Sequence, residues 1–206
     1  MSSVAVIDYG MGNIDSVVRA VEMCGGTPVL TCENSDLQTA THIILPGVGS
    51  YQQGMDRLNS LSLAGMLEEQ VIGNRIPFLG ICLGMQFLAA TGFEGGETAG
   101  LGWIGGRVVK IVPESTDERI PHVGWNEVLF DSETPLFDNI PSGKDFYFVH
   151  SYHFVCDNPS HVLATTPYGG GVVSAVGRDN IFGVQFHPEK SQKRGFQILK
   201  NFLAMS

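Results

Sequence analysis

Residues 76–92 read IPFLGICLGMQFLAATG, and this stretch limits the fold more than any other. An apolar strand, Ile76 to Ile81, runs into Gly80-Ile81-Cys82-Leu83-Gly84, and a helical stretch, Leu83 to Ala90, follows at once. A strand without a polar face belongs in the middle of a sheet that is covered on both sides. The abrupt passage from strand to helix is the Gly-x-Cys-x-Gly version of a nucleophile elbow. Its glycines let the turn pass close to neighbouring chain, and the turn lifts the sulfur over the sheet edge. A helix N-terminus favours negative charge on that sulfur, and the Leu83 N–H beside it can face a developing oxyanion.

The flanking sequence supplies the rest of such a sheet. Val4 to Asp8, Pro28 to Thr31 and Thr41 to Leu45 read as strands. Between the first two, Ile14, Val17, Val18, Val21 and Cys24 form one helical stripe, with Asn13 at its start and Gly25-Gly26 at its end. Residues 51–73 read as one or two helices. Later, Arg107 to Val112, Glu127 to Leu129, Phe146 to Val149, Val162 to Thr166, Val172 to Val176 and Ile181 to Phe186 read as strands. Few helices separate them, so antiparallel additions to the sheet are expected. Gln192 to Met205 closes the chain as a helix with Phe196, Leu199, Phe202 and Leu203 on one face. The pattern predicts a single domain over residues 1–206, an α/β fold with three layers, α/β/α, around a mostly parallel, mixed central sheet.

Charge narrows the partners. Twelve basic against 21 acidic residues give a net charge of -9, which disfavours a nucleic-acid groove and an anionic membrane surface. Residues 1–100 hold ten acids and three bases, so basic groups for a partner come mainly from the second half. No secretory leader and no run of 18 apolar residues is visible, so a cytoplasmic location and no membrane span are expected. The spacing of Cys24, Cys32, Cys82 and Cys156 fits no zinc motif, and no cofactor or metal is expected.

An acyl-transfer cysteine needs a histidine to take and return a proton. His42 begins an apolar strand and reads as structural; His161 follows a Pro-Ser turn and reads as solvated. His122 lies in PHVGWN, and His150 and His153 lie in VHSYHF. His187, in FGVQFHPEKS, has the best context, because it ends an apolar strand where α/β enzymes place functional groups. Glu189 is two residues on and falls on the same side of an extended backbone, where a carboxylate can hold the imidazole tautomer.

GICLGMQ, FGVQFHPEKS and the early LPGVG resemble class I (triad) glutamine amidotransferases. YGMGN at 9–13, PGVGSY at 46–51, PHVGWN at 121–126, FYFVHSYHF at 146–154 and the terminal GFQILKNF narrow the resemblance. Together they are similar to the glutaminase subunits of imidazole glycerol phosphate synthase, along essentially the whole chain. The resemblance implies that Cys82 attacks the side-chain amide of L-glutamine, that His187 carries protons, and that Glu189 orients His187. It implies an oxyanion site from the Val48 and Leu83 N–H groups, with Gly47 and Gly49 giving the strand freedom to rearrange. Gln86, Glu94 and the backbone around His150, Ser151 and Tyr152 would hold glutamine. The implied partner is a (β/α)8-barrel cyclase subunit, joined as a heterodimer, that uses the ammonia to convert PRFAR into imidazole glycerol phosphate and AICAR. Asn13, Pro121, His122, Trp125 and Lys190 would meet that barrel. The alternative partner of the same type is a synthase for surface-sugar amidination.

Overall fold

In the computed structural model, which describes residues 2–131 and 134–206, strands and helices alternate through the first half of the chain. β1 (Ser3–Ile7) leads to α1 (Ile14–Met23), β2 (Thr27–Thr31), α2 (Asn34–Thr39) and β3 (His42–Gly47). Then come α3 (Tyr51–Ser60), α4 (Leu63–Glu68), β4 (Phe78–Cys82) and α5 (Leu83–Gln86). The second half is mostly strand: β5 (Thr91–Gly92), β6 (Thr98–Ala99), β7 (Gly106–Lys110), β8 (His122–Val128), β9 (Lys144–His150) and β10 (Tyr152–Cys156). β11 (Val162–Thr166), β12 (Val172–Arg178) and β13 (Ile181–Val184) precede the last helix, α6 (Gln192–Leu203).

Strands β2, β1, β3, β4 and β13 lie side by side in that order, and every neighbouring pair is parallel. Beyond β13 the sheet continues through β12, β10 and β7 by antiparallel pairs, and β11 also joins β12. The result is a mixed, mostly parallel sheet between two helical layers. Alternation along the strands feeds both layers at once. Ile7, Ile43, Leu45 and Phe78 pack with Leu37, Leu58, Leu67 and Phe87 on one face. Val6, Ile44, Leu79 and Ile81 pack with Val17, Val21, Ile198 and Phe202 on the other. Burying each such side chain contributes about 1.5–3 kcal/mol, which is why the central strands are apolar throughout.

Three features differ from the sequence reading. α5 stops at Gln86 instead of reaching Ala90. The carbonyls of Phe87, Leu88 and Ala89 accept from the N–H groups of Leu101, Ile104 and Gly102, so a loop replaces the next helical turn. α2 was not expected, because NSDLQT is short and polar and buries only Leu37. β8 and β9 do not extend the main sheet. They pair with each other from His122↔His150 to Val128↔Lys144 as a separate antiparallel ribbon. Its inward residues Val128, Phe146 and Phe148 pack with Phe186 on the α1–α6 side of the core. The chain therefore changes sheets at Ser151, between β9 and β10. Among the described residues no helix is long and apolar enough to cross a membrane.

Candidate active site

β4 ends on Cys82 and α5 begins on Leu83, so the whole change of direction falls on the cysteine. Cys82 accordingly has φ 54° and ψ −106°, a backbone that costs a residue with a Cβ of order 1–3 kcal/mol. Neighbouring chain leaves no alternative route. A Cβ on Gly84 would lie 1.8 Å from the Leu45 carbonyl oxygen, and one on Gly80 would lie 2.5 Å from the Gly84 oxygen. Gly84→Ala should therefore lower stability by about 3 kcal/mol, measured by urea denaturation, because backbone on both sides is fixed in the sheet.

Parallel pairing brings two other strand ends to the cysteine. Gly47 pairs with Cys82 across β3–β4, and Val184 pairs with Ile81 across β13–β4. Residues 47–49 thus leave the sheet on one side of the sulfur, and residues 185–187 leave it on the other. His187 Nδ1 donates to Glu189 Oε1 over 2.8 Å, with the two side chains 2% and 1% exposed. Glu189 does not reach the ring by strand alternation. Pro188–Lys190 is a 3₁₀ turn, pinned by Ser191 Oγ donating to the His187 carbonyl at 2.6 Å, and the turn folds the carboxylate back. His187 Nε2 is buried and has no hydrogen-bond partner among the described residues. Burial pulls the pKa of this ring down, but the Cys82 sulfur and the Glu189 carboxylate outweigh burial and push it up to about 10. The ring is thus held ready to carry a second proton on Nε2.

A cavity of about 320 Å³ opens over the sulfur. Gly49, Gln86, Glu94, His150, Ser151 and Tyr152 line it together with Val48, Cys82 and Leu83. Gly47 does not; the space where its side chain would project is taken by the Tyr9 hydroxyl, 2.3 Å from a Cβ placed there. Gln86 is buried, and its Nε2 donates to the Tyr152 carbonyl and to Gln185 Oε1, both at 3.0 Å. With both amide hydrogens engaged, Gln86 can offer a ligand only its Oε1 acceptor. Glu94 Oε2 accepts the Tyr51 N–H at 2.7 Å, at the start of α3, which leaves Oε1 to meet a ligand cation. The Val48 N–H donates to the Met11 carbonyl at 3.3 Å. In this conformation it does not complete an oxyanion site with Leu83, whose N–H lies in the first turn of α5. Gly49, at φ +106°, supplies a joint beside that peptide. A larger cavity of about 710 Å³ lies at the opposite end of the sheet, beside Pro77 and Asn180, and among the described residues neither cysteine nor histidine lines it. Among the described residues no group of three His, Cys, Asp or Glu could hold a metal.

The family model for class I glutamine amidotransferases matches residues 5–205. The chain belongs to that family. It is 44% identical over 200 residues to imidazole glycerol phosphate synthase subunit HisH 2 of Methanococcus maripaludis, covering 97% of this chain and 98% of that protein. It is 48% identical over 212 residues to subunit HisH 1 of Prochlorococcus marinus, covering 98% and 97%. With subunit HisH of Pelagibacter ubique the identity is 41% over 205 residues, covering 98% and 99%. Among solved structures, PurLQS from Thermotoga maritima superposes with a TM-score of 0.73 at 20% identity, covering 98% of both chains. A structure described as glutamine amidotransferase gives 0.71 at 16% identity, covering 95% of this chain and 98% of that one. These two likenesses concern the fold alone. The amidotransferase is of the HisH type, a glutaminase-type enzyme that feeds ammonia to a partner enzyme.

The residues expected at the amidotransferase's partner face divide. Trp125 is 48% exposed, with Tyr147 beside it and Lys190 Nζ 5.7 Å above the Tyr147 ring. Val123 and Val149 are a cross-strand pair on the same ribbon and are also exposed, so β8–β9 turns an apolar strip outward next to the cavity. Pro121 lines the cavity itself. Asn13 sits at the start of α1 but does not cap it; its Oδ1 accepts from Ser16 Oγ at 3.3 Å. His122 is a correction. It is 3% exposed and stacked between Phe148 and Tyr168, so its side chain belongs to the interior and not to a partner surface. Strand alternation explains this, since Val123 and Trp125 cannot both point outward unless His122 points in. The sequence reading missed Gln185, whose Nε2 donates to Cys82 Sγ at 3.6 Å. The available signal was its place two residues before His187, directly after the strand beside the elbow.

Proposed function

We propose that the chain is the glutaminase subunit of a histidine-pathway imidazole glycerol phosphate synthase and works as a heterodimer with a (β/α)8-barrel cyclase. The observation that carries this reading is 41–48% identity to HisH subunits along nearly the full length of both chains. Cys82 gives its thiol proton to His187 Nε2, and Sγ attacks the side-chain amide carbon of glutamine. His187 gives its Nε2 proton to the departing ammonia, and a γ-glutamyl thioester remains on Cys82. His187 then takes a proton from water as the water attacks the thioester and returns it to the departing Sγ, and glutamate and free thiol result. Glu189 supports the imidazolium in both halves. The oxyanion is met by the Leu83 N–H and, once the Gly47–Val48 peptide turns, by the Val48 N–H. Gln86 Oε1 and the Glu94 carboxylate receive the polar end of the substrate.

Ammonia released into water is protonated and lost, so the exit must face the acceptor subunit. The outward strip of Val123, Trp125 and Val149 adjoins the cavity and suits a buried partner contact, with Lys190 at its edge. The Val48 N–H engaged on Met11 supports a nearly idle isolated subunit. Glutamate release should rise by at least about 10²-fold when the barrel and its nucleotide ligand are added, with imidazole glycerol phosphate and AICAR as products. A high rate without the barrel, or no response to it, overturns the reading. A synthase for surface-sugar amidination is the second reading, because relatives numbered HisH 1 and HisH 2 point to more than one such subunit in their organisms. Stimulation by that barrel alone would select it.

A further inference from the structure

One unbroken set of hydrogen bonds runs from β8 to the nucleophile. Asn126 Nδ2 is 3.2 Å from His122 Nε2, and His122 Nδ1 is 2.9 Å from His150 Nε2. His150 Nδ1 is 2.8 Å from the Tyr152 carbonyl, which also accepts from Gln86. Gln86 continues to Gln185, and Gln185 to Cys82 Sγ. Only one placement of protons satisfies this set. A carbonyl oxygen can only accept, so His150 must carry hydrogen on Nδ1. The His150 Nε2 is then an acceptor, and His122 must donate to it from Nδ1. That leaves His122 Nε2 as an acceptor for the Asn126 amide. The Asn126 orientation is itself fixed, because its Oδ1 accepts the Glu127 N–H at 2.9 Å. Both buried rings are therefore neutral, and both carry their hydrogen on Nδ1. The glutaminase chemistry uses neither ring.

We propose that His122 is a positioning residue of the glutamine pocket: through His150 it fixes the Tyr152 carbonyl, and that carbonyl fixes the Gln86 amide beside Cys82. The proposal deepens the glutaminase reading and rests on it. Its effect is to set polarity. With the Tyr152 carbonyl in place, Gln86 spends its N–H groups internally and shows substrate an acceptor. With the carbonyl displaced, the amide is free to rotate and show a donor instead.

Acid breaks the set, because a second proton on either ring opposes two donors. The titratable groups facing the pair are Glu118 before β8, Tyr168 after β11, His153 on β10 and His187 after β13. Burial, chiefly, holds His122 down at about 4 and His150 at about 3. An unfolded histidine titrates near 6.5, so the neutral arrangement contributes fully above that pH and is lost as pH falls through about 4.

The test uses the complex with the barrel. His122→Phe keeps a stacking ring but removes the donor, and His122→Asn keeps an N–H near the Nδ1 position without a titrating ring. His122→Phe should raise KM for glutamine about tenfold with kcat changed less than about threefold. His122→Asn should restore KM and keep it flat at acid pH, where the wild-type KM climbs. Ring ¹⁵N spectra of the wild-type chain should show Nδ1–H and bare Nε2 on both histidines. An Nε2–H on either ring, or a folded His122→Phe with wild-type KM, overturns the proposal. Should His122→Phe fail to fold, the wild-type tautomers and the His122→Asn pH profile decide it. Absence of glutamine turnover by the wild-type complex would instead sink the glutaminase reading, before any variant is compared.

Discussion

Replacing Cys82 by alanine should abolish glutamine-dependent synthesis by the complex, a fall of at least about 10³-fold, while ammonia-dependent synthesis continues. The asymmetry follows from the site. Sγ is the only thiol lining the cavity among the described residues, and alanine tolerates the φ of 54° as well as cysteine does. The Cys82 thiol meets the β8–β9 strip through a weak contact, 4.0 Å from the Val149 carbonyl, and its loss leaves the outward side chains in place, so a partner is still met by the same surface. Both activities are measured on one preparation, with glutamine or with an ammonium salt as nitrogen source. Equal loss of the two would mean that Cys82 supports the assembly and not the amide cleavage.

Glu189→Gln should lower the glutamine-dependent kcat by about 10³-fold with KM changed little. The amide fits the same turn and can still bond the ring, but it cannot balance an imidazolium. In the wild type the folded His187 titrates above its unfolded value near 6.5. The sign follows directly: proton retention on His187 stabilises the fold fully below pH 6.5 and stops doing so as pH rises through about 10. The variant loses the part of that contribution that the Glu189 charge supplies, while the part from the Cys82 sulfur remains. Its stability should therefore differ most from wild type at neutral and lower pH, and the two should converge above pH 10. NMR titration of the His187 ring checks the shift. A ring that titrates identically in both proteins would remove Glu189 from its role.

Much of this arrangement is legible in the residues. The central strands are apolar beyond Ser3 and His42, which open β1 and β3, so burial of both their faces follows from hydrophobicity. Gly80 and Gly84 mark the elbow around Cys82 because no side chain fits at either position between β3, β4 and α5. The orienting Glu189 is legible in composition but not in geometry, since Pro188 diverts the chain into a turn that alternation does not foresee. His122 is misplaced for a related reason: PHVGWN looks like one surface motif, yet successive residues of a strand face opposite ways. Gln185, and the bond by which the already expected Tyr152 backbone holds Gln86, escape notice because they depend on how β13, α5 and β10 come together, which no local pattern encodes. The length of α5 is set the same way, by a loop some fifteen residues later that claims its carbonyls.

The change of sheet at Ser151 has a mechanical meaning. The ribbon's outer face carries the exposed Trp125 and Val123, opposite Tyr147 and Val149, and this same end passes, through a single residue, into the strand that walls the cavity. A single residue offers no slack. A contact on the outer surface at Val123 and Val149 therefore falls within two residues of Ser151, beside the backbone that lines the cavity, while Phe146 and Phe148 hold the ribbon's inner face in the core.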